Sequence, residues 1–185
     1  MAKTLSEGKD KKDYFIREAV IDDLDIIQKI YAYHVENGLG SFEELPPQSE
    51  EVHKRIIQAR NLSLPYLVAE KNSSVKGFAY VSPFRNRSAY RYTLEDSVYV
   101  APESVGIGIG STLLSNLIQK CAALGFRQMI AVIGDSENQA SINLHLKHGF
   151  SHIGVMPSVG FKFGRWVDSV RMQRPLGQGD QTTPN

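Results

Sequence analysis

The stretch Val98-Tyr99-Val100-Ala101-Pro102-Glu103-Ser104-Val105-Gly106-Ile107-Gly108-Ile109-Gly110-Ser111-Thr112 constrains the fold more than any other part of the chain. β-Branched and aromatic residues come first, glycines then fall at every second position, and an apolar helical pattern follows, so the order is strand, tight turn, helix. Glycine has no Cβ, so the backbone there can approach a ligand closely. The unpaired N–H groups of the new helix then face that ligand with the positive end of the helix dipole behind them. Such a turn cradles an anion; the plainer reading is a tight turn with packing glycines. Two nucleotide-binding patterns are excluded. No lysine precedes Ser111 and Thr112 as a Walker A loop requires, and the glycine spacing, with no acid about 20 residues on, does not fit the dinucleotide fingerprint.

Charge decides how broad such an anion site can be. The 185 residues carry 21 basic and 20 acidic side chains, a formal net charge of +1, which argues against a protein that coats nucleic acid by neutralising phosphates. Any bound anion is held locally. A lone cysteine, Cys121, cannot form an internal disulfide and suits a reducing cytoplasm. Residues 1–13 are polar and lack the apolar core of a signal peptide, and no segment has the roughly 20 apolar residues of a membrane span. Residues 177–185 hold no apolar side chain, so both ends read as flexible tails around one domain over residues 14–176.

Within that domain the pattern alternates. Tyr14–Arg17 is β-prone, and Leu24, Ile27, Ile30, Tyr31, His34 and Val35 form one helical face closed by Gly38. A loop rich in Gly and Pro runs to Gln48, and Ser49 is expected to cap a second helix through Arg60. Tyr66–Ala69 and Val75–Val81 make a hairpin, and Tyr90–Val100 a third strand. Ile109 to Cys121 is an amphipathic helix, Met129–Ile133 a strand, and Asn138–His148 a short helix stopped by Gly149. Strands are expected at Ile153–Val155 and Trp166–Arg174, with an apolar-aromatic loop over Gly160–Trp166. The result is an α/β (α+β) domain with a central mixed, mostly antiparallel sheet flanked by helices.

In the strand before the turn, the two-residue period places Thr93, Glu95, Ser97 and Tyr99 on one face and Leu94, Asp96, Val98 and Val100 on the other. Glu95 is therefore either a proton-accepting carboxylate or an ordinary strand residue paired with a cation such as Arg91. His145, His148 and His152 cluster in sequence, but Gly149 breaks the helix between the last two and no acidic or thiolate partner lies nearby, so no metal site is expected. Cys121 falls on the apolar stripe of its helix, where a thiol is inert.

Several segments in this order resemble one known family, the GCN5-related N-acetyltransferases (GNAT), and within it the phosphinothricin and methionine sulfoximine N-acetyltransferase branch. They are Ile16-Arg17-Glu18-Ala19, Arg91 to Val100, the glycine turn, Gly125 to Gly134, Ser136-Glu137-Asn138 with Ala140-Ser141-Ile142, and Gly160 to Trp166. The resemblance implies the GNAT fold, acetyl-CoA as donor, no metal, and the primary amine of a small amino-acid-like molecule as acceptor, attacked directly without an acyl-enzyme. Glu95 is then the general base, and His145 supplies a proton to the departing thiol. Cofactor contacts are implied along Val98, Tyr99 and Val100, with the Val100 N–H aimed at the developing oxyanion. They continue through Val105, Gly106, Ile107, Gly108, Ile109, Gly110 and Ser111 of the turn, and at Asn138 and Ser141. Phe42, Arg85, Arg87 and Tyr90 are implied to line the acceptor end.

One departure bears on function. The family carries Arg or Gln where Val105 stands and often a basic residue where Ile107 stands, so a charge-assisted phosphate contact is missing, at a cost of about 1–3 kcal/mol in cofactor binding. The competing expectations are acetylation of another amine (polyamine, aminoglycoside or protein N-terminus) and a non-catalytic CoA sensor. The resemblance also suggests a homodimer, with no nucleic-acid or membrane partner.

Overall fold

The computed structural model describes residues 13–184. The expected N-terminal tail lies outside them except for Asp13, whose carboxylate pairs with Lys71 at 2.7 Å. Seven strands form one sheet: β1 (Phe15–Glu18), β2 (Tyr66–Lys71), β3 (Ser74–Pro83), β4 (Thr93–Val100), β5 (Gln128–Gly134), β6 (Ser151–Lys162) and β7 (Arg165–Pro175). Their spatial order is β1-β2-β3-β4-β5-β7-β6. Only β4 and β5 run parallel; every other neighbouring pair is antiparallel. This is the mixed, mostly antiparallel sheet expected from the sequence.

Helices α1 (Leu24–Asn37) and α2 (Ser49–Asn61) cover one face of the N-terminal half, and α3 (Ile109–Ala123) covers the other. The apolar stripe of α3 buries Ile109, Leu113, Leu114, Leu117, Ile118 and Cys121 against β1 to β4, each large aliphatic side chain contributing about 1.5–3 kcal/mol. Gly77 of β3 is required by this packing, because a Cβ there would press on the Tyr99 carbonyl and on Ile109 and Leu113. On the opposite face, aromatic rings interlock beneath α1: Tyr66 stacks on Tyr80 at 4.9 Å and Tyr31 meets Tyr99 edge-on at 4.9 Å. Helix α4 (Gln139–Lys147) packs on β5.

Three boundaries differ from the sequence reading. β4 begins at Thr93, because Ser88–Tyr90 form a 3₁₀ turn. Gln48, not Ser49, precedes α2 as the N-cap, and no side chain caps that end. β6 and β7 are long strands joined by a tight turn at Phe163–Gly164 rather than short strands around an aromatic loop. The interrupting Gly154, Pro157 and Gly160 are absorbed by register shifts between His152 and Gly154 and between Met156 and Gly160.

In the C-terminal segment, Arg127 donates to the Gly179 carbonyl, to Thr182 Oγ1 and to the Thr183 carbonyl, and Gly179 is buried. Composition identified this segment as polar, but a polar segment can satisfy an arginine through its backbone carbonyls as well as it satisfies water.

Candidate active site

The parallel pairing of β4 with β5 stops at Asp96 and Ala131, and both strands continue beyond that point without each other. The gap is a cleft of about 280 Å³, walled by Ser97, Val98 and Tyr99 on one side and Val132 and Ile133 on the other. Past Asp96, the edge of β4 that faces β5 has no strand partner, so an extended polar chain can pair there as a substitute strand. His34 of α1 closes part of this edge by donating from Nε2 to the Val100 carbonyl at 2.8 Å. The roof is the α1–α2 loop. Lys162, fully buried at the end of β6, donates from Nζ to the Gly38 and Ser41 carbonyls at 3.0 and 2.8 Å, and Tyr31 donates to Glu43 at 3.0 Å.

At one end of the cleft lies the glycine turn. Gly106 and Gly108 both adopt φ of +89°, a conformation that side chains with a Cβ resist. Gly108 is the N-cap of α3 and no side chain among the described residues caps the helix, so the N–H groups of Ile109, Gly110 and Ser111 have neither an intrahelical nor a capping partner there. Val105 is 67% exposed beside them and offers no charge. One polar side chain does approach this end: His148, just past α4, shares a 2.8 Å hydrogen bond with Ser111 Oγ.

Glu95 stands half-buried on the face of β4 shared with Tyr99. It forms no ion pair among the described residues; Arg91 instead donates to the Ser88 carbonyl and stacks over Tyr92. Burial pushes the Glu95 carboxyl above its ordinary range, against the opposing charges of Arg171 and Arg85, while the charge of Asp96 adds to the rise. A carboxylate so placed is a stronger base than one in water.

Asp96, one residue on and on the opposite face, lines the cleft and is the residue that sequence reasoning missed. Its side chain is 1% exposed, and its Oδ2 lies 3.0 Å from His145 Nε2, whose side chain is 5% exposed. The other ring nitrogen of His145 donates to the Ser141 carbonyl at 2.7 Å. Burial opposes a charge on the imidazole, but the hydrogen bond and charge of Asp96 and the Ser141 carbonyl outweigh it, so His145 is held above the usual histidine range. Asp96 Oδ1 is buried with no hydrogen-bond partner among the described residues, so the hydrogen bond from His145 is the one contact among them that answers this carboxylate.

The other expected residues divide. Asn138 acts as the N-cap of α4, its Oδ1 accepting from the Ser141 N–H at 3.2 Å, and with Ser141 it lines the cleft. Phe42 packs on Gly160, where a Cβ would clash with its ring. Arg85 and Tyr90 flank the Phe84 ring, and Arg85 reaches Glu95 electrostatically. Arg87 is exposed and contributes its backbone to the turn before Tyr90. Cys121 is buried, which pushes its thiol up to about 12.

A row of helix-start N–H groups and an adjoining cleft with a free strand edge together fit an elongated molecule with an anionic end, a polar arm and a reactive head. Acetyl-CoA has this construction. Residues 27–150 match the model of the acetyltransferase (GNAT) family. The chain is 54% identical over 163 residues to a phosphinothricin N-acetyltransferase of Alcaligenes faecalis, covering 88% of this chain and 83% of that one. It is 45% identical over 117 residues to an L-methionine sulfoximine/L-methionine sulfone acetyltransferase of Salmonella typhimurium, covering 63% and 68%. The crystal structure of a phosphinothricin acetyltransferase from Sinorhizobium meliloti in complex with acetyl-CoA superposes with a TM-score of 0.90 at 48% identity, over 94% of each chain. By fold, by cleft and by these matches, the chain belongs to the GNAT family and is an acetyltransferase.

Proposed function

We propose that this chain acetylates the primary amine of a small amino-acid-like acceptor, of the phosphinothricin or methionine sulfoximine type, by direct attack. The observation that carries the reading is the division of labour across β4. Its cofactor-side face presents the cleft and the Asp96–His145 pair, and its other face presents a half-buried carboxylate with a raised pKa. The relatives named above act on such amino acids, which supports the choice of acceptor.

Acetyl-CoA, when bound, supplies the activated acetyl group. The N–H groups of Gly106, Gly108, Ile109, Gly110 and Ser111 would hold its pyrophosphate, and the edge of Val98–Val100 its arm. Glu95 takes the proton from the acceptor's ammonium, which frees the lone pair that attacks. His145 keeps its Nδ1–H committed to Ser141, so its mobile proton is the one on Nε2, shared with Asp96 and stored where a departing thiolate would need it. Phe42, Arg85, Arg87 and Tyr90 are read as the acceptor-side wall. We place the protein in the cytoplasm as a homodimer. In support, β6 is an edge strand carrying exposed Ile153, Val155, Met156 and Phe161 beside Trp166, which is 63% exposed.

The test is thiol release from acetyl-CoA against a panel of acceptors. Turnover with phosphinothricin or methionine sulfoximine above that with polyamines, aminoglycosides and peptide N-termini is expected. A preference for polyamines would overturn the acceptor assignment, and tight CoA binding with no acceptor-dependent thiol would favour a sensor.

A further inference from the structure

Arg171 lies in the middle of β7, and neither the reading of the sequence nor the mechanism above uses it. Strand register fixes where it faces. Glu95 of β4 is level with Ile130 of β5, which is level with Gln173 of β7, so these three share a face of the sheet. Arg171, two residues from Gln173 and opposite Val132, shares that face. Continuing along β7 on the same face come Ser169, opposite Gly134, and Val167, opposite Gly160. Gly134 and Gly160 are the positions against which Leu39 and Phe42 of the roof loop rest. Arg171 thus sits between the covered end of this face and Glu95.

Arg171 is half-buried as a residue, yet among the described residues its guanidinium makes no hydrogen bond and no ion pair. Most other partly buried arginines here are satisfied: Arg17 by Asp23 and Glu70, Arg55 by Glu43 and Glu51, Arg127 by the Gly179 and Thr183 carbonyls and Thr182 Oγ1. A half-buried cation with five donors and no acceptor is costly unless something outside the fold supplies the anion. Of the cations whose charge reaches Glu95, Arg171 acts more strongly than Arg85, in keeping with the face that the strand register gives the two groups in common.

We infer that Arg171 receives the anionic end of the acceptor's side chain and so selects amino acids that carry a second negative group. This rests on the acetyltransferase reading above. The span favours the side chain over the α-carboxylate. The amine must lie at Glu95, and the α-carboxylate, one carbon away, stays beside it within reach of Arg85. β7 is two strand steps from β4, roughly 10 Å, a distance that an extended acceptor side chain and the arginine arm cover between them. A phosphinate or carboxylate matches the planar guanidinium fork; an uncharged sulfoximine does not.

The experiment compares L-phosphinothricin, whose side chain ends in a phosphinate, with L-methionine sulfoximine, whose side chain is uncharged, in wild type, Arg171→Leu and Arg171→Lys. Arg171→Leu is expected to lower the ratio of kcat/KM for phosphinothricin to kcat/KM for methionine sulfoximine roughly 10- to 100-fold, mainly through KM. Calorimetric affinity of CoA-loaded protein for phosphinothricin should fall by a similar factor, and Arg171→Lys should keep much of the ratio. An unmoved ratio, equal losses in the two variants, or a change confined to the acid limb of the pH profile would overturn the role of Arg171 while leaving the acetyltransferase reading intact. Wild type that binds and acetylates neither compound would overturn both.

Discussion

The two faces of β4 carry neighbouring carboxylates that the fold treats in opposite ways. Glu95 is half-buried, without an ion pair among the described residues, and close to two arginines whose opposing charges do not outweigh its burial, so its proton affinity in the free protein is raised. Asp96 is sealed against His145, and what is raised there is the proton affinity of its partner. The first arrangement leaves a group free to exchange a proton with a ligand. The second binds a proton between two side chains and fixes the geometry of both. One two-residue period thus yields an unpaired carboxylate and a paired one, and the difference lies in what the third dimension brings opposite each.

The sharpest way to break this comparison is to neutralise each carboxylate in turn. Glu95→Gln is expected to lower kcat by roughly 10²- to 10⁴-fold while CoA affinity, measured by calorimetry, stays where it was and urea stability changes by less than about 0.5 kcal/mol. Turnover near the wild-type rate would remove Glu95 as the base. Asp96→Asn should instead cost about 2–4 kcal/mol of stability at neutral pH, because it leaves a buried imidazole without its counter-charge. If Asp96→Asn unfolds at the wild-type urea midpoint, the pair has no structural weight.

Titration separates the two faces further. Since His145 is raised in the folded state, the contribution of the pair is complete below the ordinary histidine range and is lost as pH rises through the raised value. The stability gap between wild type and Asp96→Asn should therefore narrow in alkaline urea titrations. Glu95 predicts the other limb: kcat/KM should climb with pH through a value above the ordinary carboxylate range, and a limb at about 4 would contradict its burial. The smallest effect serves as a control. Val105→Arg should tighten CoA binding by about tenfold through a new phosphate contact without moving either pH limb; unchanged affinity would show that the backbone N–H row already suffices.

Elements with long, regular periodicity were legible in the sequence. The stripe from Ile109 to Cys121 packs on the sheet as its spacing requires, and the alternation in β4 separates Glu95 from Asp96 correctly. What was not legible depends on distant strands and helices meeting. His145 is 49 residues from Asp96, and Arg171 faces Glu95 only through the registers of β4 with β5 and β5 with β7. The length of β6 was hidden by Gly154, Pro157 and Gly160, which read as breakers because register shifts leave no mark in composition. A signal did exist for Asp96: an acidic residue on the apolar face of a strand, between Leu94 and Val98, is costly to bury unless something answers it.

The roof of the cleft carries a consequence for how this chain can change. Gly134 lies so close under the Leu39 carbonyl that a Cβ there has no room, and Lys162 pins the same loop at Gly38 and Ser41. Clearance above the cleft is thus fixed main chain against main chain, and the loop cannot rise without abandoning its anchor. A single added methyl group at position 134 would act as a wedge in that seam, so the site admits no conservative replacement. Sequence drift that the walls absorb by repacking has no counterpart in the roof.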